Sequence, residues 1–351
     1  MQWGLKQIVC KVAPEIEYGQ LWNSNFDFVD KSVQQVRMVN QANPDRESRL
    51  VQGGLLPGSG GQPAFDLRQK RPSAIPVLIA VPHAGRSYPP DLIDNMRSPE
   101  NSTLRLEDRL VDLLGRKIAA ETGAALLIAH APRAMIDLNR SPEDIDWEMV
   151  EGGRPMGKKR FAAGRRARSG LGLVPRRLPG LGELWKRRLD RVELDERIEM
   201  VHRPYHTSLI HALENLRDRW GAALLLDLHS MPPLGKKSGR DPAPDFVMGD
   251  RYGSSCGSSL SLAAFDHFER HMRSAAHNRP YAGGYVLDRH GSPARGLHAM
   301  QVEVCRSVYL DSALREPGEG VDQTAELLSG LVRRLADELL SGARKLPQAA
   351  E

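Results

Sequence analysis

An apolar run, Leu224-Leu225-Leu226, breaks off in Asp227-Leu228-His229-Ser230-Met231. A buried strand is a rigid mount, and open α/β sheets place their chemistry at the carboxyl ends of such strands. His229 therefore sits where a cleft opens, with Asp227 two residues earlier. A second segment repeats the pattern: Val77-Leu78-Ile79-Ala80-Val81-Pro82 runs straight into His83-Ala84-Gly85. One such histidine is as readily a satisfied structural group as a ligand. Two of them suggest a metal site, because neutral imidazole is the commonest metal ligand.

Strands alternate with helical patterns through most of the chain, which points to an α/β fold with a parallel or mixed sheet. Leu106, Leu110, Leu113, Leu114 and Ile118 recur at helical spacing and predict a helix over 104–121. Strands are expected at 76–81, 124–129, 246–248 and 222–229. Further expectations are a short extended piece at 134–138 and a strand pair at 284–288 and 299–305. Helices are expected at 192–219 (interrupted near 202–206), 258–276 and 321–342. Residues 1–75 read as a partly ordered N-terminal arm, and 76–345 as one catalytic domain.

At 351 residues with 40% hydrophobic content, the chain can bury a full core. The net charge of +5 permits an anionic partner without requiring one. Residues 151–191 concentrate the positive charge: 13 Lys or Arg against 3 Asp or Glu, a local +10. This basic insertion reads as a solvated loop or lid, or more sharply as an electrostatic funnel for anions. Only Phe161 and Trp185 supply aromatic faces there, so nucleic-acid binding has little support. Cys10, Cys256 and Cys305 are widely spaced and odd in number, which fits a reducing cytoplasm better than a disulfide framework. No apolar run approaches the roughly 20 residues of a membrane helix, and no signal-peptide pattern opens the chain.

The sequence contains no Gly-x-Ser-x-Gly elbow, no phosphate-binding Walker loop, no dinucleotide glycine fingerprint and no His-Glu-x-x-His. What remains is a set of polar residues at strand ends: His83, Asp137, Asn139, Arg140, Asp227, His229 and Glu303. Glu303 lies between Val302 and Val304, and strand alternation puts Gln301, Glu303 and Cys305 on one face. Facing a cleft, its carboxyl would be desolvated, raised in pKa and suited to general-base work. Facing solvent, it would be an ordinary edge-strand glutamate.

These elements fall in a specific order. Val81-Pro82-His83-Ala84-Gly85 is followed by Arg133-Ala134-Met135-Ile136-Asp137-Leu138-Asn139-Arg140 and Pro204-Tyr205-His206. Then come Asp227-Leu228-His229-Ser230-Met231, Gly283-Gly284-Tyr285 with Gly291-Ser292-Pro293, and His298-Ala299-Met300-Gln301-Val302-Glu303. The ordered set, across about 76–311, resembles the N-formylglutamate amidohydrolase family, itself similar to zinc carboxypeptidases and aspartoacylases. The resemblance implies a single zinc-carboxypeptidase-like α/β domain: a central mixed, mostly parallel sheet flanked by helices, with one catalytic Zn2+.

The resemblance also implies roles. His83 and His229 would be zinc ligands. The third ligand would be Asp108, in Asp108-Arg109-Leu110-Val111-Asp112, with Glu107 in reserve; alternatively Asp108 only favours a helix's first turn. Arg86 stands where carboxypeptidases keep a ligand glutamate. Glu303 matches the general base, and Asn139-Arg140 a pair that binds substrate carboxylate, for which a guanidinium fork is well shaped. Arg133 would stabilise the oxyanion or form a structural ion pair. Arg289, His290 and Arg306 are candidates for a second carboxylate. Asp227 would orient a ligand histidine from behind, and His206 would be a capped helix histidine or a group that supports the site from behind its ligands.

The implied activity is hydrolysis of an N-acyl amide on an acidic amino acid, with a small anionic substrate such as N-formyl-L-glutamate and no membrane partner. Two further readings are an amidohydrolase for another N-acyl amino acid or peptide-like amide, and a non-catalytic anion-binding protein on a decayed hydrolase scaffold.

Overall fold

The computed structural model describes residues 37–38, 48–153, 164–235 and 243–345, all within one compact unit, Val36–Glu351. Its centre is a nine-stranded sheet built from β1 (Arg37–Met38), β2 (Ser48–Gly53), β3 (Phe65–Lys70), β4 (Val77–Val81), β5 (Ala125–Ala129), β8 (Ala223–Met231), β9 (Phe246–Gly249), β10 (Ala275–His277) and β11 (Leu297–Cys305), in the order β1-β2-β3-β5-β4-β8-β11-β9-β10. A separate small hairpin pairs β6 (Arg177–Leu178) with β7 (Gly182–Glu183). The central strands β5, β4, β8 and β11 run parallel. Antiparallel pairings add β3 on one side and β9 on the other, so the sheet is mixed, as expected.

Every residue of β4, β5 and β8 is buried, which explains their unbroken apolar sequences. Alternation then divides the core in two. Val77, Ile79, Val81, Leu224, Leu226, Leu228, Met300, Val302 and Val304 face one side. There they pack under α3 (Val111–Thr122), α7 (Ser258–Arg270) and α9 (Val321–Lys345). Leu78, Ala80, Ala223, Leu225, Leu297 and Ala299 face the other, under Tyr205, Leu209 and Leu213 of α6 (Arg203–Trp220). Burial at about 25 cal/mol per Å² of apolar surface makes these two layers the main stabilising term.

Several local expectations change. The predicted helix over 104–121 is two helices, α2 (Pro99–Leu106) and α3, separated at 107–110 (α1, Pro90–Asp94, precedes both). The break lies where Leu110 takes a left-handed φ of 56°, and the Asp108 amide bonds outside any helix, to the His83 carbonyl at 3.0 Å. Residues 134–138 are not extended but run from one turn into the next, closed by the Met135 amide on the Pro132 carbonyl and the Arg140 amide on the Asp137 carbonyl. The expected strand at 284–288 is α8 (Tyr285–His290), because Val286, Leu287 and His290 bury one helical face and the Asn139 carboxamide caps the Val286 N–H at 3.0 Å. The helix over 258–276 stops at Arg270, and β10 follows. Around 192–219, α5 (Arg191–Arg197) joins α6 through a π-helical turn, Ile198–His202.

The sheet also begins upstream of the expected boundary. β2 and β3 lie within 1–75 and complete its antiparallel side, because Phe65 and Leu67 insert into the core beside β5; residues 1–36 and 39–47 of the expected arm lie outside the described residues. In the basic insertion, 154–163 lie outside them too. Residues 164–191, including α4 (Arg165–Arg168), are no solvated loop: Ala167, Leu173, Val174, Leu184, Trp185 and Leu189 are buried, and Arg176 pairs with Asp146 at 2.8 Å. No helix among the described residues is long and apolar enough to cross a membrane.

Chain order sets the position of the site. From β4 the chain moves outward to β5, then crosses back over β4 to β8 and on to β11. The reversal lies between β4 and β8, and a crevice opens there beyond their carboxyl ends. Gly85 keeps the β4 exit tight against the strand beside it: a Cβ there would stand 2.0 Å from the Ala131 carbonyl oxygen. Gly85→Ala is expected to cost roughly 1–3 kcal/mol by overpacking against backbone that cannot retreat, read as a lower urea midpoint at unchanged slope.

Candidate metal centre

His83 follows β4, His229 lies near the end of β8, and Asp108 occupies the break between α2 and α3. All three are buried, and one ligand-type atom from each lies within 4.8 Å of the others. The Nδ1 atoms of both imidazoles face Asp108 Oδ2, at 2.8 Å for His229 and 3.7 Å for His83. The opposite ring nitrogens are held from behind. His83 Nε2 lies 2.7 Å from Asp137 Oδ1, and His229 Nε2 lies 3.0 Å from Asp227 Oδ2. Each carboxylate accepts the Nε2 proton, which leaves the Nδ1 lone pairs for a cation. This arrangement of donors fits a metal ion.

The electrostatics agree. Burial alone would push His229 toward the neutral form, but Asp227 and Asp108 outweigh it, so without a cation Nδ1 holds a proton against Asp108 that a metal would have to displace. Burial disfavours the Asp108 carboxylate, yet hydrogen bonds from His229 and His83 hold its pKa below the ordinary value. Asp137 likewise stays ionised against its burial because of Arg133, His83 and Arg140. A divalent cation bound there would displace the Nδ1 proton and keep Asp108 as its counter-charge.

Glu303 belongs to the same site. Parallel register sets it beside His229, with Gln301 beside Asp227. Burial raises its carboxyl to about 7, with His229 and Arg133 opposing and Asp108 contributing. Gln301 Nε2 donates to Glu303 Oε1 at 2.8 Å. A cavity of about 290 Å³ opens over the cluster, lined by His83, Asp108, His229, Glu303, Arg133, Asn139, Arg140 and Arg306 among others.

Comparison with known proteins now places the chain. Residues 75–310, two thirds of its length, match the family model for N-formylglutamate amidohydrolase. The chain belongs to the N-formylglutamate amidohydrolase family. It is 26% identical over 291 residues to an N-formylglutamate deformylase of Pseudomonas aeruginosa, covering 77% of this chain and 95% of the relative. A deformylase of Pseudomonas putida is 28% identical over 274 residues, covering 76% and 93%. The crystal structure of N-formylglutamate amidohydrolase from Ralstonia eutropha JMP134 superposes with a TM-score of 0.72 at 32% identity, covering 80% of this chain and 99% of that one.

Within this member of the amidohydrolase family, the remaining expected residues divide. Glu107 is turned away from the cluster, since Tyr88 Oη donates to its Oε1 at 3.0 Å and Arg109 to its Oε2 at 3.2 Å; Asp108 alone faces the histidines. Arg133 lines the cavity and donates through Nε to Asp137 at 2.9 Å. Asn139 Oδ1 is taken by Val286, and its Nδ2 lies 3.5 Å from His229 Nε2. That nitrogen already gives its proton to Asp227, so the Asn139 amide hydrogens remain for a ligand. Arg140 is anchored through Nε on Leu171 O at 3.0 Å and through Nη1 on Asn139 O at 2.6 Å.

Four expectations are corrected. Arg289 is exposed and absent from the cavity lining, its guanidinium 5.8 Å over the Tyr285 ring, because α8 is a helix that turns it outward. His290 is buried behind the site, 2.9 Å from His206. His206, near the start of α6, touches no ligand histidine; its Nε2 donates to the Leu138 carbonyl at 3.0 Å and its Nδ1 meets His290 at the end of α8. Arg306 does line the cavity, but Nε donates to Ser230, Nη1 to Leu104 O and Nη2 to Glu107 O, so its fork is spent on bracing the α2–α3 break.

The contact that sequence reasoning missed is Asp137 behind His83. It appeared among the strand-end polar residues, but its place in a turn, with the Asn139 amide on its Oδ1 at 2.8 Å, is a tertiary fact. Asp137→Asn is expected to weaken Zn2+ or Co2+ binding about 10–100-fold, measured by titrating metal-free protein against a chelator. Unchanged affinity would sink the assignment of Asp137 as the His83 support.

Proposed function

We propose that the protein is a zinc-dependent amidohydrolase that cleaves N-formyl-L-glutamate to formate and L-glutamate. The observation that carries this reading is the meeting, in one cavity, of the His83–Asp108–His229 cluster with the buried Glu303 carboxyl. The substrate is supported by the names of the Pseudomonas relatives and by the arginine-rich cavity wall. Two imidazoles and one carboxylate leave an open fourth position, the donor set of catalytic zinc. When bound there, zinc would polarise the formyl carbonyl and lower the pKa of a water from 15.7 toward about 7.

The rest falls to the chain's own groups. Gln301 fixes one oxygen of Glu303 and leaves Oε2 for the attacking water. Glu303 takes the water's proton as the oxygen bonds to the formyl carbon. The C–N bond then breaks, and the proton held on Glu303 passes to the departing amine. A carboxyl that burial lifts above the ordinary carboxylate range is suited to both transfers. Arg133, oriented through Nε by Asp137, points its remaining donors at the charge that develops on the formyl oxygen. Asn139 and Arg140 receive the α-carboxylate and hold the amide in line with Glu303.

Glu303→Gln is expected to bind zinc at the wild-type stoichiometry while formate release from N-formyl-L-glutamate drops about 10²–10⁴-fold. Formate assay and metal analysis on the same preparation check both halves; a rate near wild type rejects Glu303 as the base.

A further inference from the structure

Five arginines line the cavity: Arg105, Arg133, Arg140, Arg166 and Arg306. Three have defined work within the protein. Arg133 is paired with Asp137, Arg140 is anchored beside Asn139, and Arg306 has every guanidinium nitrogen engaged. Among the described residues, Arg105 and Arg166 have no carboxylate partner. Like charges around a concave wall cost free energy unless a ligand neutralises them.

Arg166 belongs to α4, in the basic segment. Its backbone is well held: the carbonyl accepts from the Leu171 amide at 2.9 Å and from Ser169 Oγ at 2.8 Å, and the neighbouring Ala167 is fully buried. Its side chain is exposed at the cavity. Arg140 and Arg166 line the same cavity, and burial, with the Arg166 charge adding to it, lowers the Arg140 pKa against Asp137. Two neighbouring guanidiniums, one free, suit two carboxylates joined by a short carbon chain. Arg289, the sequence-level candidate for the second carboxylate, points elsewhere.

We infer that Arg166 forms a second anion subsite beside Arg140, taking the side-chain carboxylate of a dicarboxylic amino acid whose α-carboxylate lies on Asn139 and Arg140. The inference rests on the proposed hydrolysis for its substrate but not for its binding chemistry. It makes Arg166 a specificity-determining residue that selects acidic over neutral side chains.

The test compares N-formyl-L-glutamate with N-formyl-L-glutamine, which differ by one charge. In Arg166→Met, the ratio of kcat/KM for the acid over the amide is expected to fall about ten- to a hundredfold, mainly through KM. Arg166→Lys should recover part of it. Arg105→Met removes a cavity charge from α2 instead and should affect both substrates alike. Equal losses for both substrates in Arg166→Met, or the same selective loss in Arg105→Met, would overturn the subsite in favour of a diffuse field. A second readout needs no turnover: L-glutamate should raise the unfolding temperature of the wild type more than L-glutamine does, and Arg166→Met should abolish that difference. If glutamate stabilises both proteins equally, the subsite is rejected. If N-formylglutamate is not hydrolysed but the glutamate preference disappears in Arg166→Met, the hydrolytic reading fails and the subsite stands.

Discussion

Two imidazoles with their Nε2 protons already committed are what the rest of the site depends on. An isolated histidine has two equivalent ways to present a lone pair, and either ring face can turn. Here Asp137 and Asp227 remove that freedom, so both Nδ1 atoms converge on Asp108. Each support has its own requirement. A buried carboxylate is costly without partners. Asp137 is compensated by Arg133 and the Asn139 amide, whereas Asp227 sits inside β8 with His229 as its partner. Arg133 is thereby drawn to the cavity wall, where a cation is useful for a second reason.

Sheet register supplies the rest of the geometry. In the β8–β11 pairing, Asp227 stands beside Gln301 and His229 beside Glu303, all on the same face. A one-residue slip of β8 would send Asp227 and His229 into the opposite, apolar layer, and a slip of β11 would do the same to Gln301 and Glu303. That slip is prevented by Leu224, Leu226 and Leu228 on β8 and by Met300, Val302 and Val304 on β11, which fill the core under α3, α7 and α9. Packing on one face of the sheet thus fixes polar chemistry on the other.

These relations were unequally legible in the sequence. The strand-end histidines were readable because a fully buried strand announces itself by consecutive apolar residues, and whatever follows it lies at a sheet edge. The shared face of Gln301 and Glu303 followed from alternation alone. The α2–α3 break was hidden, because Leu106 and Leu110 keep helical spacing across it; only the family resemblance singled out Asp108. Tyr285–His290 read as a strand because Tyr285-Val286-Leu287 is short and apolar, and its helix start is capped by Asn139, distant in sequence. That misreading also misplaced Arg289. Arg166 could be seen only as one charge in a basic stretch, since its place at the cavity depends on how Ala167 and Leu173 pack the segment inward.

The turn from Asp137 to Arg140 joins the two halves of the site. Asp137 orients His83, while Asn139 and Arg140 carry the proposed carboxylate contacts. Its backbone is gripped from behind by two histidines: His206 Nε2 on the Leu138 carbonyl at 3.0 Å and His202 Nε2 on the Arg140 carbonyl at 2.9 Å. Burial keeps both rings neutral, as donors to carbonyl oxygens require. With its Nε2 proton spent, His206 Nδ1 can only accept, and His290 donates to it at 2.9 Å. His202 ends the π-turn Ile198–His202 and His206 lies four residues on in α6, a spacing that puts both on one helix face. Both imidazoles then reach carbonyls of the same short turn, so the metal's support and the substrate's anchor keep a fixed distance from each other.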